Sequence, residues 1–173
     1  MKLWHILLLL LLCISCTGIG DAPKQFTYSG IVVRIADGDT FTILTQDKQQ
    51  VKVRMHGIDA PEKAQDFGQV SRQRLSDLVF NKQVYIDQKD KDRYGRIVGT
   101  VYDVKMMCIN EEMLRSGMAW HYTQYDKSAN WQALQEEARK NKTGLWAGPQ
   151  PVAPWDWRKE KQAKQQQLIP ENQ

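Results

Sequence analysis

Between Phe26 and Asp103 the chain alternates twice between two kinds of pattern, and that order limits the folds it can adopt. Ile31, Val33 and Ile35 alternate with Val32, Arg34 and Ala36, the period of a β-strand. Asp37-Gly38 is a hairpin turn signal, and the β-branched and aromatic text from Thr40 to Thr45 predicts a second strand. After a turn at 46–49, Val51, Val53 and Met55 alternate against Lys52, Arg54 and His56, predicting a third. The period then becomes helical from Gln69 to Phe80, with Val70, Leu75, Leu78 and Val79 as the apolar stripe. Gln83 to Gln88 and Arg96 to Asp103 read as two more strands around a charged loop. Further on, Asn110 is an N-cap candidate for a helix over Glu111–Arg115, and Ser128 or Asn130 opens a last helix to Lys142 with Trp131, Leu134 and Ala138 on one face. The expectation is α+β: a small β-barrel of five short strands with about three helices. Strand-strand-strand-helix-strand-strand is the order of the OB-fold, a five-stranded Greek-key barrel.

The termini are of another character. Lys2 precedes an apolar run from Ile6 to Leu12, a secretory signal pattern too short for the ~20 residues of a membrane span. Leu12-Cys13-Ile14-Ser15-Cys16 follows in the manner of a bacterial lipobox, with Cys16 as the acylated residue; ordinary signal cleavage nearby is the plainer reading. The expected organisation is a signal over 1–15, a polar tether over 16–25, the folded domain over 26–147, and an extension over 148–173. Within that extension Trp155 and Trp157 are expected to pack back on the domain, and the Lys/Gln-rich stretch from Arg158 onward is expected to fray. The implied location is the bacterial cell envelope through a lipid anchor, or else secretion or the periplasm.

The formal charge of +4 is compatible with a polyanionic partner without requiring one. Three histidines, one of them His5 in the leader, leave too few for a three-histidine zinc site. No nucleophile elbow or phosphate-binding P-loop is present. With Cys16 acylated, Cys108 has no cysteine to pair with, and it reads as a small apolar core residue.

The chemistry is concentrated in three segments: Asp37-Gly38-Asp39-Thr40, Arg54-Met55-His56-Gly57-Ile58-Asp59-Ala60-Pro61-Glu62, and Asp92-Arg93-Tyr94-Gly95-Arg96. They supply oxygen ligands for a hard cation, a further carboxylate able to act as a base, and arginines that meet phosphate oxygens with paired donors. Any one alone would be unremarkable, since an isolated Asp-Gly-Asp is usually a solvated hairpin. In a meander, Asp39 at the start of the second strand and Asp59 just past the third can converge on one rim.

Together, in order and spelling, the segments resemble the staphylococcal nuclease family over about Phe26 to Trp146. The resemblance implies an OB-fold nuclease that uses Ca²⁺ to hydrolyse DNA, with RNA as a second candidate substrate, by attack of water with cleavage of the P–O5′ bond. It assigns the metal to Asp39, Asp59 and the carbonyl of Ala60, where the family usually has Thr. Catalysis falls to Arg54, Glu62 and Arg96, and substrate contacts to Arg93, Tyr94 and Tyr125. The family's base-stacking Tyr is replaced by Thr123, and the loop from Lys63 to Asp66 is short, implying a more open groove. A monomer is expected. The other reading is a catalytically inactive OB module that binds nucleic acid or protein. Degenerate domains of that kind usually lack the Glu or an Arg, and here Asp39, Arg54, Asp59, Glu62 and Arg96 are all present.

Overall fold

The structure is a computed structural model and describes residues 25–167. The signal, most of the tether and Cys16 lie outside the described residues, as does the end of the extension. Five strands close a barrel in the order β1 (Tyr28–Ile35), β2 (Thr40–Leu44), β3 (Gln50–Met55), β6 (Ile97–Tyr102), β5 (Gln83–Lys91). β1, β2 and β3 form the expected meander, with Thr40 opposite Arg54 and Phe41 opposite Val53. α1 (Gly68–Val79) then carries the chain across, so that β6 joins β3 in parallel while β5 closes on β1. The remainder is a two-stranded patch, β4 (Ile58–Asp59) with β7 (Trp120–His121), together with α2 (Ile109–Arg115), α3 (Ala129–Lys140), a 3₁₀ turn (Gly144–Ala147) and α4 (Pro154–Gln167). The OB-type α+β architecture is the one expected, with a fourth helix.

Inward-facing strand residues fill the barrel: Val32, Phe41, Ile43, Val53, Met55, Ile86 and Val101 are all fully buried. Leu75 and Val79 of α1 and Met113 and Leu114 of α2 cover its open side. Two details depart from the sequence expectation. In β1 the register shifts between Val32 and Arg34, so Val32 and Ile35 point inward while Ile31 and Val33 are exposed. A bulge adds a residue and inverts the phase of alternation, and β-branched residues on both faces hide it. In α1, Val70 is half exposed and small Ser71 takes the buried position, donating to the Met118 carbonyl at 2.7 Å.

Asn110 is not the cap of α2; that place belongs to Cys108, and Asn110 is fully buried inside the helix. Its side chain accepts from the Val101 N–H at 2.9 Å and donates to the His56 carbonyl at 2.8 Å. Both halves of the amide are satisfied, and α2 is thereby tied to β6 and to the turn after β3. Ser128, not Asn130, caps α3, its hydroxyl accepting from the Trp131 N–H at 3.2 Å.

The stretch expected to fray is helical to Gln167. Pro154 is buried at the first position of α4, where a missing N–H costs nothing. The ring of Trp155 stacks on Tyr122 at 4.8 Å and meets the edge of Trp120 at 5.7 Å. Trp155 does pack back, and it sets the start of α4 against the domain.

Candidate active site

The site is assembled by two turns and a loop at one end of the barrel. Asp37 supports the first turn, its carboxylate accepting from the Asp39 N–H at 3.1 Å. Gly38 has to be glycine for space: a Cβ there would lie 1.9 Å from the Ser71 hydroxyl and 2.7 Å from the Ala60 Cβ. That close approach brings the first segment onto the second, where Asp39 Oδ2 accepts from the Ala60 N–H at 2.7 Å. Ala60 follows directly from β4, whose pairing Asp59↔Trp120 fixes the direction of Asp59.

Arg54 lies between the two aspartates. Nη1 is 2.5 Å from Asp39 Oδ2, and Nη2 donates to Asp59 Oδ1 at 2.8 Å. Burial works against its charge, but Asp39, Asp59 and Asp37 raise its pKa above the ordinary value, so it stays a cation. The carboxylates show the opposite strain. Burial, followed by the charge of Asp39, pushes Asp37 up to about 7. Burial also raises Asp59, with Asp39 adding to the effect and the neighbouring arginines opposing it.

Glu62 is held by its loop. Its N–H donates to Gln65 Oε1 at 3.2 Å, and its carbonyl accepts from the Gln65 N–H at 2.8 Å. The carbonyl also lies so close to Gly68 that a Cβ there would be 1.9 Å away.

Arg96 comes from the β5–β6 loop, which Asp92 organises. One Asp92 oxygen accepts from the N–H groups of Tyr94 and Arg96, both at 2.9 Å, and the other accepts from Arg96 Nε at 2.6 Å. Burial opposes it, but these bonds hold the Asp92 carboxyl below its usual range. With Nε so engaged, Arg96 lines the groove. Arg93 and Arg96 both lie over the Tyr94 ring, at 5.0 and 5.6 Å, and that ring is exposed.

Asp39, Arg54, Asp59, Ala60, Glu62, Arg93, Tyr94 and Arg96 thus line one groove of about 570 Å³. Tyr125 is not among its lining; it sits exposed beside Tyr122, which is, with the rings 4.9 Å apart. The segments that the sequence associates therefore converge.

Two participants have no role in the sequence reading. Asp92, which opens the third segment but carried no assigned role there, is the anchor of Arg96; the signal was an acid four residues before an arginine that must be held. Arg158 of α4 reaches the centre, with Nη2 2.7 Å from Asp59 Oδ2 and Nη1 2.8 Å from Glu62 Oε1. Trp155, Lys159 and Gln162 line the groove beside it. The chain leading into α4 folds against the short loop: Gln65 Nε2 donates to the Val152 carbonyl at 2.7 Å.

The donor set fits a hard divalent cation. Burial, with the charge of Asp39 adding to it, raises Asp37 and Asp59, and a dication among these carboxylates would stabilise their ionised forms. No histidine or cysteine is among the site's donors, which is the preference of an oxygen-seeking ion. Among the described residues no three carboxylates, histidines or cysteines form a ready cage, so the ion would rely on backbone oxygen and water for the rest of its shell.

Residues 52–148 match the family described as staphylococcal nuclease homologue. The chain belongs to the staphylococcal nuclease homologue family. It is 44% identical over 149 residues to Protein ParB of Escherichia coli, covering 80% of this chain and 84% of that protein. It is 41% identical over 151 residues to a micrococcal nuclease of Shigella flexneri, covering 82% and 86%. An uncharacterized endonuclease of Haemophilus influenzae is 48% identical over 129 residues, covering 75% of this chain and 72% of that protein. Family membership makes the chain a nuclease, a hydrolase of phosphodiesters. The matched staphylococcal nuclease region includes Arg54, Asp59, Glu62 and Arg96; Asp39 precedes it and α4 follows it.

Proposed function

We propose that this nuclease is Ca²⁺-dependent, cleaves DNA and also RNA, and breaks the P–O5′ bond by attack of water. The observation that carries the reading is the convergence of Asp39, Arg54, Asp59, Glu62 and Arg96 on one groove. Asp39 and Asp59, with the Ala60 carbonyl, would hold the cation. Bound there, the cation would supply positive charge to a phosphate oxygen and to a coordinated water. Glu62 takes the proton of the attacking water. Its carboxylate is partly exposed and held on a loop whose backbone is fixed by Gln65 and Gly68. Arg54 and Arg96 meet the charge that builds on the phosphoryl oxygens. Each is oriented by carboxylates, Arg54 by Asp39 and Asp59 and Arg96 by Asp92, so little reorganisation is left for the moment of reaction. Arg93 and Tyr94 would contact the strand beside the scissile phosphate, and Tyr125 would support Tyr122 at the far end. The whole constellation comes from one chain, so a monomer would suffice for the reaction.

Two carboxylates, a carbonyl and water give a weak site, with an expected dissociation constant of ~10⁻⁴–10⁻³ M for Ca²⁺, as in extracellular modules. The test is incubation with end-labelled single-stranded DNA and with RNA, with Ca²⁺ and with excess chelator. Products ending in 3′-phosphate and 5′-hydroxyl, lost on chelation, are expected. Undiminished cleavage in chelator would remove the metal assignment, and intact strands in Ca²⁺ would leave the inactive binding module.

The lipobox-like text before Cys16 supports anchoring at the bacterial envelope, because a diacylglyceryl cysteine carries the two chains that stable attachment requires. Mass spectrometry of the native N-terminal peptide decides between a lipidated Cys16 and an unmodified terminus beyond it.

A further inference from the structure

Arg158 is brought to the active site by a helix outside the region that matches the family. It is not a loose surface cation. Pro154 is buried, Trp155 is stacked on Tyr122, and Arg158 is one helical turn further on. Nη2 is 2.7 Å and Nη1 3.4 Å from the two oxygens of Asp59, and Nη1 is also 2.8 Å from Glu62. The guanidinium therefore holds the candidate metal ligand and the candidate base at once.

A cation binding at Asp59 needs oxygen lone pairs that Arg158 engages, and it repels the guanidinium besides. A guanidinium displaced from Asp59 remains in the groove, because its helix start is fixed. The groove is lined by the carboxylates Asp37, Asp39, Asp59 and Glu62 and by Arg54, Arg93 and Arg96; with a cation on the carboxylates, the arginines are left to meet an anion, and on a nuclease that anion is a phosphate. Lys159 and Gln162 of the same helix line the wall beside it.

Resting on the nuclease reading above, we propose that Arg158 is a further substrate-binding residue, which exchanges Asp59 and Glu62 for a phosphate of the nucleic-acid strand and competes with the divalent cation for Asp59. α4 would then be a wall of the groove supplied from outside the family-matched region.

The proposal makes two opposite demands on one side chain. In Arg158→Gln, Ca²⁺ titrated calorimetrically without nucleic acid should bind roughly three- to tenfold more tightly, because its competitor is gone. The same change should weaken binding of a fluorescent single-stranded DNA in Ca²⁺ by roughly five- to tenfold, read by anisotropy. The anisotropy is measured in an Arg96→Lys background, so that turnover does not consume the probe. Arg158→Lys, which keeps charge but not the fork, should fall between wild type and Arg158→Gln in both measurements. Neither readout is turnover, so a failure of the nuclease reading shows separately as intact DNA in the wild type. DNA affinity unchanged or increased in Arg158→Gln would overturn the substrate role, leaving at most a plug on the site. Ca²⁺ affinity unchanged or weakened would overturn the competition. A thermal midpoint lowered in both variants with neither affinity altered would make Arg158 a pin for α4 and overturn both.

Discussion

At the scale of single residues, the centre works through carboxylates that aim arginines. Asp92 shows this most simply: one side chain holds two backbone N–H groups and the Nε of Arg96. Asp92→Asn keeps the volume and loses the charge that fixes the fork. It should lower kcat by roughly tenfold, through Arg96, while Arg96→Lys, which removes the fork itself, should cost at least ~10². Steady-state kinetics on single-stranded DNA checks the order; Asp92→Asn as damaging as Arg96→Lys would mean that Asp92 acts directly. The motif residues were legible because each is embedded in a short, distinctive spelling. The role of Asp92, which opens the third of those segments, was not, and neither was Arg158, since an acid beside an arginine and an arginine in a Lys/Gln-rich tail carry no local sign of what they touch.

At the scale of elements, close approaches of backbone decide where the side chains go. Gly68 opens α1 directly beneath the Glu62 carbonyl, and a methyl group there would have to displace it. Gly68→Ala should therefore cost about 1–3 kcal/mol in stability and depress kcat as well by moving the Glu62 loop. Denaturant unfolding and kinetics together check this; a stable variant with full activity would show that the loop gives way freely. The order of strands and helices could be read from periodicity, and so could the convergence of Asp39 with Asp59. The phase of β1 could not, because Ile31, Val32 and Val33 are all apolar and β-branched and a bulge leaves no mark in such text. α4 was missed for a different reason: its polar residues have no apolar stripe, and it is fixed through its first turn. Pro154 at a helix start, followed by Lys, Glu, Gln and Ala, all good helix formers, was the available signal.

At the scale of the whole molecule, Asp92 and Asp126 are better off ionised when folded, whereas Asp37 and Asp59 are not. Asp126 accepts from the Ser128 N–H at 2.8 Å, lies 2.9 Å from His121 Nε2 and is 3.6 Å from His56 Nε2. Burial opposes it, but these partners hold its pKa below the usual carboxylate range. A carboxyl depressed on folding stabilises above its unfolded value of about 3.9, and that contribution is lost as pH falls through the lower folded value. The wild type should lose this contribution to its thermal midpoint below about pH 4. Asp126→Asn should be less stable near neutrality, and the difference should shrink towards pH 2–3. A constant difference across that range would mean that the charge of Asp126 contributes nothing to folding.

The central claim is that Glu62, aimed by its loop at a groove lined by Arg54 and Arg96, is the base of a metal-assisted hydrolysis. The most direct measurement is the single-turnover rate of cleavage of a defined single-stranded DNA at saturating Ca²⁺, for wild type and for Glu62→Gln. The substitution keeps the shape and removes the proton acceptor. A rate lower by at least ~10² is expected, with Ca²⁺ and DNA affinities changed by no more than a few-fold. A variant that keeps more than about half of the wild-type rate would contradict the assignment.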